Sequence, residues 1–281
     1  MKQGKPRKIL SIDLNTSEYE VKSFEDLDNY IGGVGLGFKL MEMYYEKNPL
    51  ILAVGPLNGL FPFASKTSIV LNNDGVIEDI YIGGSLSLRI RYGGLDAIVI
   101  TGTAETKTVL DILNSSVSFR TQNEDPDTLG LPGKRSVTKI EENKVLLGGY
   151  FTTPEHYLEK EFAEKNISGF VVTGTELINI TDFDKYEELY KKILNRKDEL
   201  SVIEGTYPSC SNCPIGCGKS KTGEMGGNVL LHSLVACQYA DKIYTDVGVV
   251  FSCLNVLGYN YTHEDIEFLP KLIEQTLRRI S

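Results

Sequence analysis

Alternating apolar and polar positions dominate the first part of the chain and predict β-strands there. Residues 8–14 and 18–22 alternate on either side of a short polar turn, which predicts a β-hairpin. Short apolar runs that end in turn residues predict further strands at 50–56, 67–72, 96–102, 109–114, 117–120 and 169–172. Helical composition predicts helices at 38–45, 82–94 and 155–164.

From residue 182 onward the apolar positions recur at helical spacing instead. The recurring positions of the first helix are Phe183, Tyr186, Leu189, Tyr190, Ile193 and Leu194. Three further helices are predicted at 229–240, 246–257 and 262–280. The pattern therefore predicts an α+β fold, with a β-rich domain over residues 1–180 followed by an all-helical segment over residues 181–281.

A cysteine-rich loop lies where the helical segment begins. Cys210, Cys213 and Cys217, three of the chain's five cysteines, have the spacing C-x2-C-x3-C. Pro214 fixes one φ angle and Gly216 permits a tight or left-handed turn, so the loop can wrap around a bound group. Such a loop can turn three thiolates toward one point.

Thiolate ligands select zinc, copper(I) or an iron–sulfur cluster. Zinc sites usually combine two C-x2-C halves or add a histidine pair, and no H-x3-H pattern follows this loop. Three local cysteines with one remote ligand suit a four-iron cluster better. The spacing therefore favours a [4Fe–4S] cluster, with zinc or a metal-free set of thiols as the alternatives.

Charge and hydropathy exclude several kinds of partner. The chain has 29 Lys and Arg against 38 Asp and Glu, a net charge of −9, which disfavours nucleic-acid binding. The apolar stretch at 247–257 is too short to span a bilayer, and the first residues lack the apolar segment of a secretory signal. Clustered cysteines without export predict a cytoplasmic protein whose thiols act as ligands.

The sequence does not nominate a catalytic residue. Its three histidines, His156, His232 and His263, are scattered along the chain, and no general acid–base pair can be assigned to them. Each is interpreted as a surface or capping residue.

Four stretches, taken in order, resemble one family. They are the segments 31–36, 52–59, Gly83-Gly84 with 92–99, and 213–218 with Cys210 ahead of it. This order resembles the tungsten-dependent aldehyde ferredoxin oxidoreductase family. The resemblance covers nearly the whole chain but only the front part of such an enzyme. It implies a β-rich base domain that seats a tungsten or molybdenum bis-pterin cofactor, and a helical part that starts at the cysteine loop.

The resemblance also implies roles for single residues. The three loop cysteines would bind the cluster, and Gly83 and Gly84 would approach the pterin. Lys66 stands where the family tends to carry an arginine near the pterin phosphates. A lysine keeps that positive charge but loses the planar bidentate fork of arginine.

Departures from the family pattern concern the pterin and the fourth cluster ligand. The family usually has Gly-Gly-Arg-Gly where this chain has a valine at position 34, and its arginine-glycine pterin loop is degraded at 165–169. The family's fourth cysteine lies beyond the matching part. Cys253, Cys237, a partner chain or a small molecule would then complete the cluster, and Cys253 is preferred because its helix ends in a turn at Gly258.

These observations predict an iron–sulfur protein related to enzymes that oxidise aldehydes to carboxylic acids with ferredoxin as acceptor. It would act with ferredoxin or another redox subunit, in a complex or a homo-oligomer. The alternative is a truncated, non-catalytic paralogue that serves as an electron-transfer or assembly subunit of a larger complex. A zinc-stabilised structural module is the third reading.

Overall fold

The computed structural model describes residues 5–223 and 228–280, which form two β-sheets and a layer of helices. The strands are β1 (Arg7–Asp13), β2 (Glu18–Phe24), β3 (Leu50–Ala53), β4 (Thr67–Asn73), β5 (Val76–Ile82), β6 (Ala97–Thr101), β7 (Thr108–Leu113), β8 (Ser116–Thr121), β9 (Arg135–Glu141), β10 (Lys144–Leu147) and β11 (Ile167–Thr173). The helices are α1 (Gly33–Tyr44), α2 (Leu86–Tyr92), α3 (Tyr157–Glu164), α4 (Phe183–Leu194), α5 (Val229–Leu234), α6 (Asp241–Tyr244), α7 (Val247–Val256) and α8 (His263–Ile280). The predicted α+β class is confirmed.

The first sheet has six strands in the order β2-β1-β6-β3-β4-β5. Strands β1 and β6 are parallel, and the other neighbours are antiparallel. The predicted hairpin is confirmed, because Arg7 pairs with Phe24 and Asp13 with Glu18. Strand β5 was not predicted from the sequence, since its first four residues are exposed or half-buried and only its end enters the core.

The second sheet has five strands in the order β10-β9-β11-β7-β8. It contains the strands predicted at 109–120 and 169–172, with β7 and β11 parallel to each other. Strands β9 and β10 form a hairpin at one edge, and the sequence pattern did not predict them. The cysteine loop and the end of β5 meet beside this sheet, so the second sheet supports the site from one side.

The helix predicted at 229–240 is wrong in its second half. Helix α5 ends at Leu234, and Val235 adopts a left-handed conformation with φ of 51°. That conformation is unfavourable for a β-branched residue, so surrounding structure must hold it. The Lys66 N–H donates to the Val235 carbonyl at 3.2 Å, and the Cys237 N–H donates to the Phe63 carbonyl at 2.8 Å. These tertiary bonds override the apolar pattern and turn the chain out of the helix.

One hydrophobic core joins the helical segment to the first sheet. Buried residues of α1, β3 and β6 share this core with α5, α7 and α8. Helix α1 packs against both the sheet and α8, and just before α1 the Tyr30 hydroxyl lies 3.2 Å from the Thr276 hydroxyl of α8. The predicted division near residue 180 stays a prediction. In the described ranges, no helix combines the length and apolar character needed to cross a membrane.

A buried charged network ties β1 to the connection between α7 and α8. The Arg7 side chain is 1% exposed, donates to Asp28 Oδ1 at 2.8 Å and also donates to the Tyr261 hydroxyl. Its guanidinium lies 3.6 Å from Asp96, which Arg91 contacts at 2.8 Å. The network therefore places two arginines against two carboxylates in the interior, where an isolated charge is costly.

Arg7→Met is expected to lower the free energy of unfolding by about 3–5 kcal/mol, because removing one partner leaves the Asp28 carboxylate buried without its counter-charge. Urea unfolding followed by far-UV circular dichroism measures the change. Lys22→Met is the control, since Lys22 pairs with Glu20 on an exposed strand surface and should leave the midpoint unchanged. Equal midpoints for the two variants would show that the network does not stabilise the fold.

Candidate metal centre

The cysteine loop is fixed to the first part of the chain by backbone hydrogen bonds. The Ser211 N–H donates to the Gly84 carbonyl at 3.0 Å, and the Phe63 N–H donates to the Asn212 carbonyl at 3.3 Å. Asn212 and Gly216 are left-handed, with φ of 56° and 55°, so the loop reverses direction twice. The loop is therefore held between the end of β5 and the segment before β4.

Gly216 closes the loop against the segment that precedes it. The Gly205 N–H donates to the Ile215 carbonyl and the Tyr207 N–H donates to the Gly216 carbonyl, both at 3.0 Å. A Cβ at Gly216 would lie 2.7 Å from the Gly205 carbonyl oxygen, which is too close for any side chain. The turn at this position thus requires glycine, as the sequence predicted.

The buried side chain of Lys66, which is 3% exposed, interacts electrostatically with four cysteines. Burial by itself lowers the Lys66 pKa, but these cysteines in their thiolate form outweigh it and raise the pKa above the ordinary lysine value. These thiols belong to Cys210, Cys237, Cys217 and Cys213. Cys237 therefore joins the three loop cysteines among the groups that act electrostatically on the Lys66 ammonium.

The sulfur atoms of Cys213 and Cys237 lie in surroundings that resist free thiolates. Burial raises the pKa of Cys213 to about 12, although the Ile215 N–H donates to its sulfur and opposes this effect. Burial also raises the pKa of Cys237, against the opposing effects of Lys66 and of an N–H bond from Tyr239. Binding to a metal deprotonates such thiols, and hydrogen bonds to the sulfurs are one means of tuning an iron–sulfur cluster.

Cys253 lies away from the cysteine loop, in the helical segment. It is fully buried in α7, where burial alone raises the pKa of its thiol to about 12. Its electrostatic neighbours are the phenol groups of Tyr186 and Tyr244 in the helical core. The structure brings Cys237, and not the preferred Cys253, to the loop cysteines. The sequence analysis kept Cys237 only as an alternative, because it placed residue 237 inside a continuous apolar helix.

Among the described residues, the cysteines are not spaced as the ligands of a single metal ion. Within residues 5–223 and 228–280, no three His, Cys, Asp or Glu side chains come close enough together to bind one metal ion. A four-iron cluster attaches each thiolate to a different iron atom, so its ligands stand farther apart than the ligands of one zinc ion. Four thiols and two N–H donors to sulfur fit the chemistry of such a cluster.

The two glycines that the resemblance assigns to a pterin contact the chain itself. A Cβ at Gly83 would lie 2.7 Å from Cys210 Sγ. Gly84 has φ of 84°, and a Cβ there would lie 2.5 Å from Leu147 Cδ2 and 2.8 Å from Phe151 Cδ2. Both glycines therefore permit close packing between β5, the cysteine loop and the second sheet.

A surface cavity of about 650 Å³ lies beside the loop. Its lining includes Cys217, Lys219 and Tyr239, together with residues 200–203. Ile203 is 89% exposed at this surface. Cys217 is thus the loop cysteine that lines a solvent-facing cavity.

Comparison with known proteins places this α+β base and its helical segment in a class of oxidoreductases. The family model "Aldehyde ferredoxin oxidoreductase, N-terminal domain" matches residues 9–172, so the chain belongs to the aldehyde ferredoxin oxidoreductase family. The resemblance inferred from the sequence is confirmed.

Curated relatives agree with this assignment. The aliphatic sulfonate oxidoreductase, WOR-like subunit, of Pyrococcus furiosus is 33% identical over 129 residues, covering 40% of this chain and 20% of that protein. The tungsten-containing aldehyde ferredoxin oxidoreductase of Pyrococcus abyssi is 23% identical over 233 residues, covering 72% of this chain and 38% of that protein. The chain therefore spans well under half the length of these relatives.

A solved structure shares the fold. The active site complex BamBC of benzoyl coenzyme A reductase, in complex with 1,5-dienoyl-CoA, aligns with a TM-score of 0.61 and 15% sequence identity. The alignment covers 96% of this chain and 60% of that one. At this identity the likeness shows the fold, which includes the helical segment as well as the two-sheet base.

Proposed function

We propose that this chain binds a [4Fe–4S] cluster through Cys210, Cys213, Cys217 and Cys237 and carries electrons within an oxidoreductase of the aldehyde ferredoxin oxidoreductase family. The observation that supports the proposal most directly is the set of four thiols around the buried ammonium of Lys66. A buried charge persists only where opposite charge compensates it. A cluster with four thiolate ligands supplies that negative charge.

The groups around the cluster would favour its reduced state. Reduction would add one negative charge to such a cluster, and the Lys66 ammonium would attract that charge in a medium of low dielectric constant. The N–H groups of Ile215 and Tyr239, which donate to Cys213 and Cys237, act in the same direction. The chain's own residues thus position the sulfurs and balance the charge that an electron brings.

Electron exchange is assigned to the side of the cluster that faces the cavity lined by Cys217. The partner would be ferredoxin or another redox subunit, and the chain would work as part of a complex or a homo-oligomer. A relative named as a WOR-like subunit supports this arrangement. The family reaction, oxidation of an aldehyde to a carboxylic acid with ferredoxin as acceptor, would then draw on this chain for electron transfer. Because free thiols and a cluster need a reducing compartment, the proposed location is the cytoplasm.

Metal analysis of anaerobically purified protein tests the proposal. We expect about four iron and four acid-labile sulfide per chain, as a [4Fe–4S] cluster requires. Reduction with dithionite should produce an electron paramagnetic resonance (EPR) signal of a reduced cluster. Zinc in place of iron would instead support the structural zinc module, and protein that stays free of iron after anaerobic reconstitution would refute cluster binding.

A further inference from the structure

The family's tungsten-containing members raise the question of whether this chain also seats a pterin. Four glycines lie beside the first sheet and expose backbone without side chains: Gly33 at the start of α1, Gly55 after β3, and Gly83 with Gly84 after β5. We call them together the glycine face. Bare backbone of this kind allows close approach by a cofactor or by another segment of the protein. The residues that cover the face decide between these two uses.

Helix α5 and the turn after it cover one half of the glycine face. A Cβ at Gly33 would lie closer than 3.0 Å to the His232 carbonyl oxygen, and at 2.5 Å from Val235 Cγ2. A Cβ at Gly55 would lie closer than 3.0 Å to the Leu234 carbonyl oxygen. Backbone therefore touches backbone here, and no space for a further group lies between α5 and these glycines.

The other half is covered by the cysteine loop and the second sheet. Cys210 Sγ occupies the space over Gly83, while Leu147 and Phe151 occupy the space over Gly84. All three covering side chains are at least 92% buried, so they belong to the packed interior. The whole glycine face is in contact with this chain.

The cation that a pterin would need is also engaged. A pterin cofactor carries phosphate groups, which need positive charge and hydrogen-bond donors. Lys66 is the residue assigned to them by resemblance, yet its side chain is only 3% exposed, and its backbone N–H donates to the Val235 carbonyl at 3.2 Å. No positive charge is available at position 34 of the glycine stretch either, because valine stands there.

We infer that this chain does not seat a pterin on its glycine face, because its own residues 228–237 and the cysteine loop fill that face. The turn after α5 contributes to both the glycine face and the candidate cluster site. Its Val235 packs on Gly33, and Cys237 follows two residues later. The glycines that resemble a pterin cradle serve internal packing here. This inference rests on the packing contacts and not on the presence of the cluster.

Metal loading in one host tests the inference. The full chain and the tungsten-containing aldehyde ferredoxin oxidoreductase of Pyrococcus abyssi, as positive control, are expressed with tungstate and molybdate. Tungsten, molybdenum and iron are then measured, together with pterin fluorescence after oxidative release. We expect tungsten and pterin in the control and neither tungsten, molybdenum nor pterin in this chain. Stoichiometric tungsten or molybdenum with pterin in this chain would overturn the inference, whatever its iron content.

Iron content separates this inference from the proposed function. Iron without tungsten, molybdenum or pterin supports both. Iron together with tungsten and pterin overturns the inference and leaves cluster binding standing. Absence of iron, tungsten and pterin refutes cluster binding and still supports the closed glycine face.

A glycine substitution gives a second test, which does rest on the proposed function. Gly83→Ala would push a methyl group against Cys210 Sγ, so iron content should fall or the EPR spectrum should change. Gly248→Ala is the matched control, because a Cβ there meets only Asp246 Oδ1 at 3.3 Å. Gly248→Ala should leave the iron content and the EPR spectrum unchanged. A folded Gly83→Ala protein with the iron content and spectrum of the parent would show open space over Gly83 and contradict the inference.

Discussion

Replacement of Cys237 by serine is expected to abolish the EPR signal of the reduced [4Fe–4S] cluster and to remove at least one iron per chain. A serine hydroxyl is hard to deprotonate and binds iron more weakly than a thiolate, which is the ligand these clusters use. No other cysteine outside the loop interacts with Lys66 in the described part of the chain, so none is placed to replace Cys237 as a ligand. Iron, sulfide and EPR measurements on anaerobic protein report the loss.

Cys253→Ser is the matched control, with the same chemical change at a buried cysteine away from Lys66. It should keep its iron and its spectrum. The Cys253→Ser substitution should only lower the free energy of unfolding, by about 1–3 kcal/mol, because a hydroxyl replaces a thiol in the helical core. Loss of the cluster in Cys253→Ser with retention in Cys237→Ser would reverse the ligand assignment. Retention in both would mean that a ligand from outside this pair completes the cluster.

Lys66→Met is expected to lower the reduction potential of the cluster by on the order of 100 mV. A buried unit charge a few ångströms away is worth on the order of 2–4 kcal/mol at an effective dielectric constant of about 20. Each 1.4 kcal/mol corresponds to about 59 mV for a one-electron couple. Without the ammonium, the extra negative charge of the reduced cluster loses this attraction. An EPR-monitored redox titration measures the shift.

Lys66→Arg tests whether charge or shape is responsible. Arginine keeps the positive charge, so the cluster of Lys66→Arg should have a reduction potential near that of the parent protein. The cluster of Lys66→Met should have a lower reduction potential. Iron content should be measured in both variants, so that potentials are compared at equal cluster occupancy. A Lys66→Met protein with the parent potential would show that the ammonium is too far from the cluster to act on it.

The hydrophobic pattern was sufficient to predict the β1–β2 hairpin, the strands of the first sheet except β5, and most of α7 and α8. Such elements have one buried face, and burial imposes the alternation or the helical spacing that the sequence displays. The cysteine loop was equally visible, because C-x2-C-x3-C with proline and glycine has few other physical explanations. These features are local in the chain, so neighbouring residues contain the information.

Features that depend on distant residues were not accessible in the same way. The break after α5 depends on hydrogen bonds from Lys66 and to Phe63, which no local pattern of Val235 and Cys237 can indicate. Strand β5 lacks a clear alternation of buried and exposed positions, because only its last residues are buried. A glycine pair shows that something approaches closely, but the sequence alone does not say whether that is a cofactor or the chain itself.

The arrangement around Lys66 also dictates when the protein can mature. Lys66 precedes the first loop cysteine by more than half of the chain, and Cys237 comes later still. Chains emerge from the ribosome at about 5–20 residues per second, N-terminal part first. Lys66 is therefore synthesised well before the four cysteines that interact with it. With the proposed ligand set, iron delivery could finish only after translation has passed residue 237.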